Sequence, residues 1–231
     1  MRSIRLLMLI LLSACLAPAA AAKDDPLIAI DVLLLPDAAM AARAAAMNAR
    51  LRTAHPAGYA LDETHAAHIT LVQRYVRESD LPAIEAAVAR ASKRAGALPL
   101  TATGYVAGAA GDLGLLMLGV ESSSALIALK DNMVAAVQPF AATGGTEAAF
   151  VREAGEPIAR QTIDWVETFV PAASGATFFP HITIGVAPMP LLREIAAEPA
   201  PPPAFTAPVV AIYRLGNFGT ARTALWRSDG R

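Results

Sequence analysis

The word His-Ile-Thr followed by an aliphatic residue is written twice in this chain of 231 residues, at His68–Leu71 and again at His181–Ile184. The two copies use two of only four histidines. Each copy sits in a short run of β-branched and apolar residues, HITLVQRYV at 68–76 and PHITIGVA at 180–187. Such runs read as strands, in which successive side chains point to opposite faces. His68 and Thr70 therefore share one face while Ile69 and Leu71 face the other way, and His181 and Thr183 repeat the arrangement. A fold that satisfies both copies needs two similar strands, each with aliphatic residues on the core and an imidazole beside a hydroxyl on the opposite face.

The rest of the pattern supplies the frame. LIAIDVLLL (27–35) is a near-continuous apolar strand, expected to be buried on both faces. Pro36-Asp37 opens an alanine-rich helix to about Thr53. Asp80 is placed to cap a helix to about Ala95, with Leu81, Ile84 and Val88 at helical spacing. LPLTATGYV and LGLLMLGVE read as two strands joined across a glycine-rich connection at 109–114, and Ser122 to Pro139 reads as a further helix. A short helix near 190–197 and two closing strands complete the set, with a stiff proline loop at 199–203. Strand–helix–strand–helix–strand–strand is an α+β order, not a doubly wound parallel sheet. One domain over 23–231 is long enough to bury a sizeable core.

Two such strands meeting across a cleft would set two imidazoles and two hydroxyls around one anion. Cleaving or forming a phosphodiester requires taking a proton from the attacking oxygen and giving one to the leaving oxygen on the other side of phosphorus. Histidine serves both tasks because its unperturbed pKa, about 6.5, lies near working pH. The threonine hydroxyls can donate to the non-bridging oxygens, where charge collects. Two imidazoles that handle the protons leave no need for a metal or a cofactor. A single His-x-Thr arises by chance in many chains; a matched pair on two strands is a far more specific signal.

These residues resemble the 2H phosphoesterase superfamily, the group of the 2′-5′ RNA ligase and cyclic phosphodiesterase enzymes. The segment VVAIYRLGNFGTARTALW (209–226) is similar to that family's closing strand, glycine turn and final strand. The resemblance implies a bilobal fold of two pseudo-symmetric lobes, each with an antiparallel sheet and helices, and each giving one His-x-Thr strand to a central groove. It implies metal-independent chemistry on 2′,3′-cyclic phosphates or 2′-5′ linkages, with His68 and His181 as general base and acid and Thr70 and Thr183 on the phosphate. Which histidine is base and which acid stays open. The histidines stand farther apart in sequence than in compact members, which points to an insertion within 138–178 that reshapes or lids the groove.

Other residues fit around this centre. Arg74 shares the face of His68 and Thr70 if no bulge intervenes, and would then reach a phosphate. Phe179, Tyr105 and Phe178 are candidates to stack on a base, against the commoner role of aromatics near strand ends as core. Trp165 and Trp226 read as packing residues. His65 stands three positions before His68, so on a strand the two face opposite sides and do not chelate a metal together. His55 reads as a helix-end residue.

The N-terminus predicts export. Residues 1–22 combine a basic start (Arg2, Arg5), an apolar stretch from Leu6 to Leu12 and small residues, as in a secretory signal. Cleavage after Ala22 gives a soluble periplasmic protein; Leu12-Ser13-Ala14-Cys15 instead resembles a lipobox that anchors the chain to a membrane through a lipid on Cys15. Cys15 is the only cysteine, so the body then has neither disulfide nor thiol. Lys130-Asp131-Asn132 lacks the glycine of the nucleotide-dependent ligase motif, and no phosphate-cradling loop is present. Hydrolysis is therefore expected ahead of ligation.

Charge bears on the partner. The formal net charge of −1 becomes −3 once the two arginines of 1–22 are removed, and the only lysines are Lys23, Lys93 and Lys130. Proteins that hold duplex nucleic acid spread a basic face along it. The expected partner is a small nucleotide, a cyclic phosphate or a short RNA end, not a duplex. A non-catalytic nucleotide-binding protein of the cell envelope and a ligand-free structural lipoprotein are the rival classes; neither needs both histidines.

Overall fold

The computed structural model describes residues 25–93, 98–110, 113–199 and 204–230. The expected signal segment and Cys15 lie outside the described residues, as does most of the 199–203 loop. Among the described residues the strands are β1 (Leu27–Leu35), β2 (Ile69–Arg77), β3 (Leu98–Ala110), β4 (Leu113–Val120), β5 (His181–Ala187), β6 (Ala204–Ala207), β7 (Val209–Leu215) and β8 (Ala221–Arg227). The helices are α1 (Ala38–Ala54), α2 (Leu81–Ser92), α3 (Ser124–Val137), α4 (Arg160–Ala172) and α5 (Met189–Ala196).

The order β1–α1–β2–α2 recurs, with α4 inserted, as β4–α3–β5–α5, and each pass gives two strands to one of two antiparallel four-stranded sheets. One has the order β2-β1-β7-β8 and the other β5-β4-β3-β6. Both motif strands are edge strands, and β2 and β5 meet where the lobes join. This is the α+β bilobal architecture, with each lobe presenting one His-x-Thr strand at the junction.

Helices are exchanged between the lobes. α1 follows β1 in sequence but packs on β5, while α3 follows β4 and packs on β2. Asp37 starts α1 by accepting from the Met40 N–H at 2.9 Å, and Ser123 starts α3 by accepting from the Leu126 N–H at 3.2 Å. Alanine-rich α1 has little amphipathic character of its own, so tertiary burial holds it. Met40, Ala44 and Leu51 are at most 2% exposed against β5, and burying a side chain such as Leu or Met is worth about 1.5–3 kcal/mol. One continuous apolar cluster runs from Ile28, Ile30 and Val32 of the first sheet to Leu116, Leu118 and Ile182 of the second. The lobes therefore share a core.

Two local expectations are corrected, and the segment 138–178 takes on a definite structure. Asp80 does not cap α2: residues 78–80 already turn as a 3-10 segment, so Asp80 has helical backbone angles and its side chain makes no capping bond. A short strand, β6, pairs with β3 at Leu98–Thr101, where four residues with one aromatic had given no strand signal. The segment 138–178 contains a full helix, α4, which packs on the face of β2 turned away from the main core. Tyr75 anchors it, donating its hydroxyl hydrogen to Ile163 O at 2.9 Å and packing edge-on to Phe150.

Candidate active site

Both strands carry a β-bulge at the fourth residue of the word. In the β1–β2 ladder Leu33 faces Thr70 and Val32 faces Val72, leaving Leu71 as the extra residue. In the β4–β5 ladder Met117 faces Thr183 and Leu116 faces Gly185, leaving Ile184. Each bulge increases the local twist and re-aims the side chains before it. Asn48 of α1 braces the second one. Its amide donates to Ile184 O at 2.8 Å and Tyr59 O at 3.0 Å, and its oxygen accepts from the Leu61 N–H at 3.0 Å. Gly185 leaves room for that amide, because a Cβ there would fall 2.8 Å from Asn48 Nδ2.

The two histidines are held by the same device. Nδ1 of His68 lies 2.7 Å from Ala66 O, and Nδ1 of His181 lies 2.8 Å from Phe179 O. In each case the acceptor is the carbonyl two residues earlier. A carbonyl only accepts, so Nδ1 carries the hydrogen and Nε2 is left with the lone pair that takes a proton. Burial pushes the His68 pKa down to about 4; the Ala66 carbonyl opposes this and the positive charge of a protonated His181 adds to it. Burial also lowers His181, partly offset by the Phe179 carbonyl. An anion between them would raise both, since a nearby negative charge favours imidazolium.

The threonines differ. Thr70 donates its hydroxyl to Oδ2 of Asp31 at 2.7 Å, or accepts from it if that carboxyl is protonated. Asp31 is fully buried in β1, takes a further bond from Gln73 Nε2 at 3.2 Å, and lies 3.6 Å from Nε2 of His68. Burial raises its pKa to about 8, against the lowering effect of the Thr70 and Gln73 bonds. Among the described residues the Thr183 hydroxyl has no hydrogen-bond partner, and it faces the groove.

A small pocket lined by His68, Thr183, His65 and Phe218 opens into a larger groove of about 630 Å³. The groove walls are Leu113 and Leu115 of β4, Val186 of β5, Thr162 and Trp165 of α4, and the turn 217–220. Such a volume suits a small ligand. Phe218 stands 77% exposed on that turn, in the left-handed region at φ 56°. Asn217 holds the turn by accepting from Ala159 N and Thr162 Oγ1 and donating to Pro157 O. The segment 138–178 thus forms one wall of the groove.

The other sequence candidates fall as follows. Arg74 lies on the opposite face of β2 from Thr70, because the Leu71 bulge shifts the alternation by one; it hydrogen-bonds Gln138. Tyr105 sits on the helix-covered face of the second sheet among Arg43, Arg50 and Glu198, away from the groove. Phe178 is core, 5.1 Å from the ammonium of Lys130. Phe179 is 45% exposed and stacks on His181, with ring centroids 5.2 Å apart. Trp165, read as packing, is a groove wall and 44% exposed, whereas Trp226 does pack on the core. His65 lies on the groove rim beside Tyr59. Asp31 and Gln73 were missed by sequence reasoning, although a lone acid in an apolar strand of nine residues was the available signal. Among the described residues no group of three or more His, Cys, Asp or Glu side chains converges as for a metal ion.

The family model of the 2′-5′ RNA ligase superfamily matches residues 36–217, which include both His-x-Thr words and the extra residue of each bulge, and ends at the start of the closing turn. The chain belongs to the 2′-5′ RNA ligase superfamily. That is the 2H phosphoesterase superfamily, and it carries phosphoesterase and ligase-type activity. A comparison with curated proteins gives no match. In this member of the family the two His-x-Thr words stand on two equivalent edge strands, each with its imidazole held by a carbonyl two residues earlier.

Proposed function

We propose that this protein is a metal-independent phosphodiesterase acting on 2′,3′-cyclic phosphates or 2′-5′ linkages of nucleotides or short RNA ends. His68 and His181 act as the general base and acid pair, Thr70 and Thr183 hold the non-bridging oxygens, and the reverse reaction would join RNA ends 2′-5′. The observation that carries this reading is the matched pair of Nδ1 locks, which leave both Nε2 atoms to move protons at the junction of the lobes. Positioned acids and bases of this kind contribute about a hundred- to ten-thousandfold in rate. Trp165 and Phe218 are exposed on the groove, as side chains that stack on a base would be. We also propose that the chain is exported and either cleaved after Ala22 or lipidated on Cys15; the mass of its N-terminal peptide from a bacterial envelope fraction distinguishes these from an uncleaved chain.

The test is turnover of a panel of nucleoside 2′,3′-cyclic phosphates and 2′-5′ dinucleotides in EDTA, by wild type and by the His68→Ala/His181→Ala double variant. Wild-type turnover absent from the variant supports the proposal. Binding of panel members without turnover, by a folded protein, contradicts it and leaves a binding protein.

A further inference from the structure

The pseudo-symmetry of the two ladders assigns a counterpart to every residue near the threonines. Leu33, Val32 and Asp31 face Thr70, Val72 and Gln73. Met117, Leu116 and Leu115 face Thr183, Gly185 and Val186 in the same order around the bulge. Asp31 thus corresponds to Leu115, and Gln73 to Val186. One half of the site has a buried carboxyl and an amide where the other half has two aliphatic side chains.

We propose that Asp31 is a positioning residue that makes the two halves of the site unequal. Holding a proton, it turns the Thr70 hydroxyl hydrogen toward the groove; on ionising, it draws that hydrogen back. This rests on the proposed reading in which Thr70, like the groove-lining Thr183, holds a phosphate between the lobes.

The geometry carries the argument. Oδ2 of Asp31 and Oγ1 of Thr70 are 2.7 Å apart, a distance at which only one hydrogen lies between them. If the hydrogen belongs to the carboxyl, Thr70 accepts it, and the threonine's own hydrogen is free to donate to an anion in the groove. If the carboxyl is ionised, Thr70 must donate to it, and only lone pairs face the anion. The change releases one proton to solvent and needs no other reagent.

The surroundings favour the protonated form. Asp31 is fully buried, and its Oδ1 has no partner, nor has the Oε1 of Gln73. Among the described residues no lysine or arginine is bonded or ion-paired to it. The ionisable groups around it are His68 at 3.6 Å, Tyr213 as its direct neighbour on β7, and His181 across the junction. The Tyr213 hydroxyl is engaged with Arg227. The charged residues of α4, Arg160, Asp164 and Glu167, lie toward Tyr75. The 216–220 turn, which brings Gly219 over Gln73, contains no ionisable side chain. A buried carboxylate without a cation is costly, so the proton stays on up to about pH 8.

Asp31→Asn mimics the protonated state permanently. Its Nδ2 has two hydrogens to give, one to Thr70 Oγ1 and one to Gln73 once that amide turns over. The experiment follows the Asp31 carboxyl carbon by NMR in the wild-type protein from pH 5 to 10, and measures sulfate affinity in wild type and Asp31→Asn over the same range. Sulfate is the probe because it does not titrate there. The expected result is a carboxyl that titrates near pH 8, with a loss of sulfate affinity on ionisation of about tenfold or more that is absent from Asp31→Asn. A carboxyl titrating in the ordinary range near 4 overturns the proposal, and so does an equal pH dependence in the two proteins. A loss of affinity in Asp31→Asn that is the same at every pH means a merely structural role and also overturns it. The carboxyl titration needs no turnover, so a failed substrate panel leaves this test standing.

Discussion

The ring of Phe179 stacks on the ring of His181 at 5.2 Å, while the Phe179 backbone carbonyl accepts the His181 Nδ1 hydrogen at 2.8 Å. One residue thus both buries the imidazole and sets its tautomer, and the two effects act on its pKa in opposite directions. Phe179→Ala removes the ring and keeps the carbonyl. The His181 pKa should rise back toward its ordinary value as burial is relieved, read from the pH dependence of its ring proton resonances. An unchanged or lower pKa would show that the stack does not control the titration.

Asn48 should be one of the most sensitive positions outside the motifs. Asn48→Asp keeps the acceptor for Leu61 N but loses both donated bonds to Ile184 O and Tyr59 O, and places a carboxylate at a site 3% exposed. Leaving buried groups unpaired costs about 1–3 kcal/mol each. A loss of about 3 kcal/mol or more by urea unfolding is expected; a loss under about 1 kcal/mol would mean that the bulge holds itself.

Asp37 links two distant parts of the chain. It caps α1 through Met40 N, and its Oδ2 accepts from the Thr206 N–H at 2.8 Å and the Thr206 hydroxyl at 3.1 Å. These bonds hold its pKa below the ordinary carboxylate range. Asp37→Ala should cost about 1–2 kcal/mol, the usual worth of such a cap, with hydrogen exchange increasing in both α1 and β6. Faster exchange confined to α1 would argue against the link.

Stability should depend on pH through Asp31 and His68 with opposite signs. Folded Asp31 keeps its proton up to about pH 8, while the unfolded chain loses it near 3.8. The folded chain holds the extra proton in that window, so stability falls as pH rises through it. His68 titrates near 6.5 unfolded and about 4 folded, so its contribution falls as pH drops through that range. The two oppose each other between pH 4 and 6.5, and above 6.5 Asp31 acts alone. From pH 6.5 to 8, wild type should lose stability relative to Asp31→Asn by up to about tenfold in the folding constant per pH unit. Parallel urea midpoints for the two proteins would contradict this.

The sequence made the motif strands and the α+β order legible because both rest on local period. LIAIDVLLL and the two His-x-Thr runs carry enough β-branched and aliphatic residues to be strands wherever they are placed. Arg74 was misplaced because Leu71 is an ordinary aliphatic residue, and nothing local marks it as the extra residue of a bulge. Asp31 was read as part of an apolar strand because its partners, Thr70 and Gln73, lie about forty positions away and become neighbours only through strand pairing. Tyr105 was offered to the groove because alternation along β3 does not say which face the helices cover. Trp165 and Phe218 reach the groove through α4 and the closing turn, and their placement depends on long-range packing that a local reading does not contain.

The most direct test of the central claim is the single-turnover rate of wild type, His68→Ala and His181→Ala on the most reactive nucleoside 2′,3′-cyclic phosphate, in EDTA. The account predicts that each single variant is slower by about a hundred- to ten-thousandfold, and that the double variant falls little further because the two act as a unit. A single variant within a few-fold of wild type, or a wild-type rate abolished by EDTA, would contradict it.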